Sequence, residues 1–268
     1  MSAFTITGIP AFSDNYIWLV DDGERAVAVD PGDASVVMQR LESTGLTLDA
    51  VLITHHHPDH TGGLATLVDA YPELRIIGPK NPGIKLVNQR VAEGDRVEVL
   101  GSLELEVIDV PGHTLDHIAF FASPDAQSPK LANLDEPVLF CGDTLFAGGC
   151  GRLFEGSAAQ MHNSLSKLAQ LDERTKVYCA HEYTLANLKF ALAVEPENQA
   201  LQHRFEDVTA KRENNQPTVP SSLQLELDTN PFLRSGAPAI WETLKHQGHN
   251  VSDDVSAFAL VRNWKDNF

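Results

Sequence analysis

The sequence predicts an α/β domain over residues 1–181, followed by a mainly helical domain over residues 182–268. Short apolar runs of β type alternate with helical patterns in the first part, which is typical of α/β folds. The run Val51-Leu52-Ile53 is continuous and apolar, as expected of a strand buried on both faces. After His181 the β-type runs largely stop, and apolar residues recur at helical spacing. The architecture therefore changes near residues 181–184.

The elements of the first domain follow in order along the chain. We predict strands at residues 16–20, 26–30, 51–53, 97–110 (two strands joined by a turn), 118–121, 138–141 and 177–180. We predict helices at residues 36–46, 61–71 and 160–171. Asp30-Pro31-Gly32-Asp33 ends the second strand with turn-forming residues, and residues 123–136, rich in Pro, Asp and Asn, predict an exposed loop.

The second domain shows helical patterns. Residues 185–194 predict a helix, and Leu201, Phe205 and Val208 fall at the spacing of another. Residues 209–222 are polar and contain Pro, which predicts a loop. Ser252-Asp253-Asp254 is typical of a helix N-terminus and precedes a last amphipathic segment.

The composition is that of a globular protein with a strong negative charge. The formal net charge is −17, and such a chain repels phosphate backbones and anionic lipid, which argues against nucleic-acid and membrane partners. The segment from Met1 to Val20 contains no Lys or Arg, and no run of 18 apolar residues occurs, so we expect neither a signal peptide nor a membrane-spanning helix. We predict a monomeric cytoplasmic protein that acts on a small molecule.

A dense group of metal-ligand side chains follows the strand at residues 51–53. The segment Thr54-His55-His56-His57-Pro58-Asp59-His60 offers His55, His57 and Asp59 on one side if the chain stays extended, with His60 where a helix begins. His56 then points away, and an ordinary surface or buried role is the better interpretation for it. Imidazole nitrogens and carboxylate oxygens suit zinc, and also iron or manganese.

Three later strands each deliver one more ligand-type residue at their exits, namely His113, Asp143 and His181. One tetrahedral zinc takes four ligands. Seven ligand-type residues are too many for one ion and suit two divalent ions that share a carboxylate. The sequence therefore predicts an open, catalytic pair of metal ions, zinc by preference, with iron or manganese as alternatives.

Other candidate ligands have simpler interpretations. Cys141 and Cys179 each lie two residues before a predicted ligand, but free cysteines are among the most buried residue types, and the three cysteines of the chain form no CxxC pair. His117, four residues after His113, belongs either to the surroundings of the metals or to the core.

The pattern T-H-x-H-x-D-H, then G-H-T, then G-D-T, then a His after the last strand resembles the metallo-β-lactamase superfamily. Further segments are similar to the hydroxyacylglutathione hydrolase (glyoxalase II) family: Phe12-Ser13-Asp14-Asn15-Tyr16, Cys141-Gly142-Asp143-Thr144-Leu145-Phe146, Gly149-Cys150-Gly151-Arg152, His181-Glu182-Tyr183-Thr184 and Asn230-Pro231-Phe232-Leu233-Arg234. The resemblance covers nearly the whole chain. The first pattern identifies only the superfamily, whereas the later segments are more specific.

The resemblance implies an αββα sandwich with a C-terminal helical domain and a binuclear metal site. It assigns one metal ion to His55, His57 and His113, and the second to Asp59, His60 and His181. Asp143 would bridge the two ions together with a water or hydroxide that acts as the nucleophile, so that Asp59 and Asp143 serve catalysis. The implied reaction is hydrolysis of S-(2-hydroxyacyl)glutathione thioesters, typically S-D-lactoylglutathione, in methylglyoxal detoxification.

The resemblance also implies that Arg152, Tyr183 and Arg234 contact glutathione. Phe154 lies where some relatives have a tyrosine that helps to hold the tripeptide, and no lysine follows Arg234 closely. On the residues alone, Arg152 lies in a Gly-rich run after Asp143, which favours function. For Arg234 a solvated surface role is equally compatible with the sequence.

Four rival functions remain open from the sequence. A glutathione persulfide dioxygenase of the same superfamily would use one iron, and the complete second ligand set argues for the hydrolase instead. A β-lactamase would leave the helical domain without a purpose, and another thioesterase or metallohydrolase would share the same metal ligands. A non-catalytic metal-binding module would not need an open pair of ions.

Overall fold

The computed structural model describes residues 4–124 and 134–268, which divide into two compact units. The first unit comprises Met1–Asp109 and Asp116–Gly142, and the second comprises Val110–Leu115 and Asp143–Phe268. Of the loop predicted at residues 123–136, positions 125–133 lie outside the described residues.

The first unit contains two sets of paired strands and three helices among its described residues. The strands are β1 (Thr5–Ala11), β2 (Asn15–Asp21), β3 (Arg25–Val29), β4 (Thr47–Leu52), β5 (Arg75–Pro79), β6 (Gln89–Val91), β7 (Arg96–Val99), β8 (Leu103–Asp109), β9 (Ile118–Ala122) and β10 (Val138–Gly142). The helices are α1 (Ala34–Thr44), α2 (Pro58–Thr61) and α3 (Leu64–Ala70). One sheet has the order β1-β2-β3-β4-β5-β6, and the later strands pair in the order β10-β9-β8-β7. All strands predicted in this unit are confirmed, whereas β1, β5 and β6 were not predicted.

Strand directions in the first sheet bring three segments to one edge. β2 is antiparallel to β3, and β3 is parallel to β4. The first residue of β2, Asn15, therefore lies at the same end of the sheet as the last residues of β3 and β4, which are followed by Asp30 and Thr54. The carboxyl ends of parallel strands are the usual place for ligand sites in α/β sheets.

Apolar side chains from α1 and α3 form one buried core with the first sheet, including Val37, Leu41, Leu67, Val51 and Ile76. This burial explains the helical spacing in the sequence, because each helix turns one apolar face to the strands. The predicted end of α1 and the helix predicted at residues 61–71 differ from the structure. Helix α1 ends at Gly45, which is left-handed with φ of 71°, so Leu46 follows the helix instead of ending it.

The helix predicted at residues 61–71 is instead divided into α2 and α3. Pro58 begins α2, where its missing N–H costs nothing. The chain then passes through Gly62-Gly63, and the Gly63 N–H donates to the carbonyl of Pro31 at 3.0 Å instead of continuing the first helix. The predicted metal-ligand segment, residues 54–60, therefore ends in a helical turn of its own, α2.

The second unit is mainly helical, with two short strand pairs. Its strands are β11 (Leu145–Phe146), β12 (Gly149–Cys150), β13 (Lys176–Cys179) and β14 (Ser221–Ser222). Its helices are α4 (Ala158–Leu168), α5 (Thr184–Val194), α6 (Gln199–Glu213), α7 (Leu223–Thr229), α8 (Pro238–His246) and α9 (Asp254–Asp266). Helix α4 packs against α9, and α5 against α6. Residues 143–181 thus belong to the same compact unit as the C-terminal helices, and the domain boundary at residues 181/182 stays a prediction.

The helical prediction for the C-terminal part is confirmed, with differences in extent. Helix α9 begins after Asp253, whose side chain accepts a hydrogen bond from the Ser256 N–H at 2.7 Å. Helix α6 continues to Glu213, into the segment predicted as a loop, because its polar residues form the solvent face of the helix. The short helices α7 and α8 were not predicted. Among the described residues, no helix combines the length and apolar composition needed to cross a membrane.

Candidate metal centre and substrate recess

Four predicted metal ligands lie in the first unit, directly after β4. The ring centroid of His55 lies 4.7 Å from that of His57 and 4.1 Å from that of His60. Oδ2 of Asp59 lies 3.4 Å from Nε2 of His60. His55 and His60 are fully buried. The structure therefore brings together the four ligand-type side chains that the sequence singled out here.

The reason for this grouping differs in part from the prediction. The argument from an extended chain holds for His55 and His57, whereas Asp59 and His60 lie in the helical turn α2. His56 points elsewhere, as predicted, and its Nδ1 lies 2.9 Å from Oδ1 of Asp116. The Asn81 amide donates to the other oxygen of Asp116 at 2.8 Å. His56 is thus engaged in a polar network of its own.

The buried carboxylate of Asp30 contacts both ends of the ligand segment. This carboxylate accepts hydrogen bonds from the N–H and the hydroxyl of Thr54 at 2.8 and 2.7 Å. Its Oδ2 also lies 3.0 Å from Nδ1 of His60. Asp30 adopts a left-handed conformation with φ of 53°, which only a few residue types tolerate. From the sequence we assigned Asp30 only to a turn, since its partners lie far along the chain.

These hydrogen bonds determine which imidazole nitrogen is available to a metal ion. The single hydroxyl hydrogen of Thr54 goes to Asp30, so Thr54 Oγ1 must accept from Nδ1 of His55, which lies 3.1 Å away. His55 therefore presents a bare Nε2, the form that binds metal ions.

His117 is a packing neighbour of the ligand segment. Its ring is buried and stacks on His55, with centroids 4.5 Å apart and planes within 15°. Its Nδ1 lies 3.1 Å from the carbonyl oxygen of Ile118. Of the two roles left open by the sequence, His117 takes the one next to the metal ligands.

The remaining three predicted ligands lie in the second unit and converge on one carboxylate. Oδ2 of Asp143 lies 3.4 Å from Nε2 of His113, and Oδ1 lies 3.3 Å from Nε2 of His181. Two ligands about 2.1 Å from one tetrahedral zinc lie about 3.4 Å from each other. Each oxygen of Asp143 therefore forms, with one imidazole, a pair spaced as ligands of a shared metal ion. This arrangement fits a bridging carboxylate, and the donor set suits divalent zinc, iron or manganese.

Local backbone contacts hold these three ligands. Nδ1 of His113 lies 2.8 Å from the carbonyl oxygen of Arg152, so Nδ1 carries the hydrogen and Nε2 is left for a metal ion. A Cβ at Gly151 would lie 1.9 Å from the carbonyl oxygen of Asp143, so only glycine permits this close approach. The Gly-rich run after Asp143 thus serves the position of the ligand as well as that of Arg152.

The cysteines are buried neighbours of this region. Cys141, Cys150 and Cys179 are free thiols. Burial raises the pKa of Cys150 to about 11 and that of Cys179 to about 12. A thiolate, not a thiol, is the metal ligand, so these raised pKa values agree with a packing role.

Aromatic rings surround the ligands of the second unit. Tyr183 stacks on His181 with ring centroids 4.7 Å apart and planes within 5°, and Phe146 contacts both rings edge-on. Phe154 is largely exposed, and its ring centroid lies 5.2 Å from that of His113. The predicted substrate residues Tyr183 and Phe154 thus lie directly beside predicted metal ligands.

A recess of about 220 Å³ in the second unit gathers cationic side chains near Tyr183. Its lining includes Arg152, Arg262 and Lys265, together with Asp266. Arg262 is buried and donates to the carbonyl of Cys150 at 3.0 Å and to Asp266 at 2.9 Å. Lys265 donates to the carbonyl of Ala186 at 3.3 Å. Burial, and then the charge of Arg262, lower the pKa of Lys265.

Sequence reasoning missed Arg262 and Lys265. The available signal was a pair of basic residues three positions apart on the last helix of an acidic chain. Lys265 also changes the interpretation of the missing lysine after Arg234, because α9 brings a lysine to the same recess as Arg152 and Tyr183.

Arg234 forms an ion pair with a buried carboxylate. Its Nε and Nη2 donate to the two oxygens of the buried Glu195 at 2.9 and 2.6 Å, and its Nη1 donates to the carbonyl of Leu227 at 3.2 Å. The hydrogen bond with Glu195 raises the pKa of Arg234. Arg234 lines a separate cavity of about 550 Å³ that includes neither Arg152 nor Tyr183. The structure thus commits this guanidinium to Glu195 and separates it from the other predicted substrate residues.

Comparison with known proteins identifies related chains. A family model for the metallo-β-lactamase superfamily matches residues 11–181, and a model for the hydroxyacylglutathione hydrolase C-terminus matches residues 182–268. A protein of Chromohalobacter salexigens named hydroxyacylglutathione hydrolase is 50% identical over 266 residues, covering 98% of this chain and 99% of its own.

Solved structures show the same fold at lower identity. ETHE1 from Myxococcus xanthus has a TM-score of 0.61 at 24% identity, with 98% of this chain and 97% of its own covered. TTHA1623, solved in a di-iron-bound form, has a TM-score of 0.57 at 26% identity, with 85% of this chain and all of its own covered. The predicted α/β fold with a helical C-terminal region is confirmed.

Proposed function

The chain belongs to the hydroxyacylglutathione hydrolase family of the metallo-β-lactamase superfamily, and we propose that it hydrolyses S-(2-hydroxyacyl)glutathione thioesters. The products are glutathione and a 2-hydroxy acid, D-lactate when the substrate is S-D-lactoylglutathione. The reaction is the hydrolytic step of methylglyoxal detoxification. Full-length relatedness to enzymes of this name supports the hydrolase over the dioxygenase of the same superfamily.

The His and Asp groups of the two units indicate divalent metal binding, and we propose two ions. One ion takes His55, His57 and His113 as ligands, and a second set consists of Asp59, His60 and His181. Asp143, with one oxygen beside an imidazole of each set, would hold both ions. The observation that carries this assignment is Asp143, with one oxygen at ligand spacing from each of two imidazoles.

The protein side chains prepare the reaction around these ions. Bound metal ions supply an activated water and polarise the thioester carbonyl. The leaving group is the thiolate of glutathione. The thiol of free cysteine has a pKa of about 8.5, so this thiolate departs without a dedicated general acid. The carboxylates Asp59 and Asp143 hold positive charge at the reacting centre, and the imidazole of His55 is oriented for it by Thr54.

Glutathione carries two carboxylates, which a chain of net charge −17 would otherwise repel. We propose that Arg152, Lys265 and Tyr183 bind the tripeptide in the cationic recess, since a guanidinium and an ammonium both pair with carboxylates. Phe154 offers its exposed ring as an apolar wall next to His113. We propose a structural role for Arg234 in place of the expected substrate contact.

The ions are zinc by preference, and iron or manganese are compatible with the same ligands. The di-iron form of TTHA1623 shows that a relative of this fold accepts iron. A cytoplasmic location and a monomeric state stay predictions from the sequence.

The decisive experiment is a thioesterase assay with S-D-lactoylglutathione on protein whose metal content has been quantified. We expect release of free thiol that depends on about two ions per chain. Activity that is complete with one ion, or oxygen uptake with glutathione persulfide in place of thioester hydrolysis, would contradict the proposal. The Asp143→Asn variant should lose both hydrolysis and metal content.

A further inference from the structure

The strand pair β1–β2 places an asparagine at the end of the first sheet where the predicted metal-ligand segment begins. β1 and β2 are joined by the turn at residues 12–14, and Asn15 is the first residue of β2, paired with Ala11. Phe12 in this turn is left-handed, with φ of 52°. The segment Phe12-Ser13-Asp14-Asn15-Tyr16 contains none of the proposed metal or substrate residues, yet Asn15 is buried.

The strand register explains why Asn15 reaches the ligand segment. Trp18 pairs with Val29 across the antiparallel strands β2 and β3. Asn15 lies three residues before Trp18 on the antiparallel strand, so it lies beyond the level at which β3 ends.

Gly32 then allows the ligand segment to approach this level. A Cβ at Gly32 would lie 1.8 Å from the carbonyl oxygen of Asp59, so the backbone of α2 rests directly on the glycine. This contact brings the side chain of Asp59 within reach of Asn15.

The resulting contact is a hydrogen bond to a proposed metal ligand. Nδ2 of Asn15 donates to Oδ2 of Asp59 at 3.0 Å. The same oxygen lies 3.4 Å from Nε2 of His60, which is ligand spacing for one metal ion. Asn15 therefore contacts the oxygen of Asp59 that faces His60, a ligand of the same proposed set.

We propose that Asn15 is a positioning residue that orients Asp59 for the second metal ion. The proposal rests on the ligand assignment given above. The terminal torsion of an aspartate is broad and two-fold, so packing alone does not select one carboxylate orientation. The side chain of Asp59 is 39% exposed, so water can compete for its oxygens. The amide of Asn15 holds Oδ2 towards His60 and leaves the carboxylate charge intact.

The test is the affinity of each metal ion in the Asn15→Leu variant. Leucine has the same branched arrangement of side-chain heavy atoms as asparagine but donates no hydrogen bond. Loss of a hydrogen bond that orients a metal ligand typically costs about 10- to 100-fold in metal affinity. We expect metal-free protein titrated with Zn²⁺ against a competing chelator to show one ion bound as in wild type and the other weakened by about this factor.

A matched control is available in the same unit. The side chain of Asn88 accepts from the Ile76 N–H and donates to the carbonyl of Leu74, each at 2.9 Å, away from the proposed ligands. The Asn88→Leu variant should lower the melting temperature while both ions bind as in wild type. If Asn15→Leu lacks the wild-type circular dichroism spectrum, Asn15→Ala is titrated in its place.

The outcomes separate positioning from structure and from the proposed function. Equal affinity of both ions in the variant and in wild type would overturn the proposal, and so would an equal loss of both ions. The titration uses no substrate. If wild-type protein fails to hydrolyse thioesters but the Asn15→Leu substitution weakens one ion selectively, only the proposed function is contradicted. Thioester hydrolysis with no split in affinity contradicts only the role of Asn15.

Discussion

Replacing Arg234 by alanine should destabilise the protein without selecting between substrates. The guanidinium forms two hydrogen bonds to Glu195, whose side chain is 5% exposed, while that of Arg234 is 28% exposed. Removal of Arg234 leaves a buried carboxylate with its main charge partner missing. Breaking a buried pair in this way costs about 3–5 kcal/mol.

The partial exposure of Arg234 places the expected loss at the lower end of this range, because water can reach Glu195 in the variant. A loss of about 3 kcal/mol corresponds to a fall in melting temperature of roughly 6–12 °C, at about 2–4 °C per kcal/mol for chains of this size. Changing Glu195 to Gln in the same variant removes the unpaired charge and should recover part of the stability. Thermal melts of the single and double variants measure both effects.

Activity assays separate the structural role from substrate binding. At a temperature where Arg234→Ala is folded, kcat/KM should change by the same factor for S-D-lactoylglutathione and for a small uncharged thioester. Arg152→Ala is the matched control, since this arginine is 57% exposed and lines the cationic recess. Its loss should raise KM for the glutathione thioester by roughly 10- to 100-fold, the cost of a charge-assisted contact. A selective effect of Arg234→Ala on the glutathione substrate, with an unchanged melting temperature, would refute the structural role.

Three further outcomes follow from the site. Asp143→Asn should cost orders of magnitude more thioester hydrolysis than His56→Ala, because His56 bonds Asp116 and not the proposed metals; similar losses would contradict the ligand assignment. The pKa of Lys265 is lowered by burial, so its charge is present below that pKa and is lost as the pH rises through it. Binding of an S-alkylated glutathione, measured by calorimetry, should therefore weaken at alkaline pH in wild type and weaken less in Lys265→Arg. The thiols of Cys150 and Cys179, with raised pKa values of about 11 and 12, should resist alkylation at neutral pH until denaturant is added, as mass spectrometry would report.

The first sheet shows which strands a sequence pattern can predict. Strand β4 was predicted because its buried run is continuous and apolar. Strand β1 was not, because Gly8 and Pro10 interrupt its β pattern. Its position at the edge of the sheet makes the proline acceptable, since an edge strand can lose one hydrogen-bond donor. Edge position is a property of the assembled sheet and leaves no local signal.

The same distinction applies to the candidate site. The proposed metal ligands could be named from the sequence because metal chemistry restricts such ligands to a few residue types at strand exits. The residues that orient them could not, since Asp30 and Asn15 are recognised only by contacts to Thr54 and Asp59 far along the chain. Lys265 was missed for the same reason, because only the packing of α9 brings it to the recess of Arg152.

The hydrogen-bond chain from Asp30 through Thr54 to His55 prepares one imidazole nitrogen for a metal ion in advance. Near neutral pH a free imidazole exchanges between two neutral tautomers, and only one of them presents Nε2. Because the hydroxyl of Thr54 has a single hydrogen, already given to Asp30, its oxygen selects that tautomer at His55 before any ion arrives. An incoming cation then meets a ring that needs no internal proton transfer. The direction of one hydroxyl hydrogen thus fixes the tautomer of the first proposed ligand in the segment.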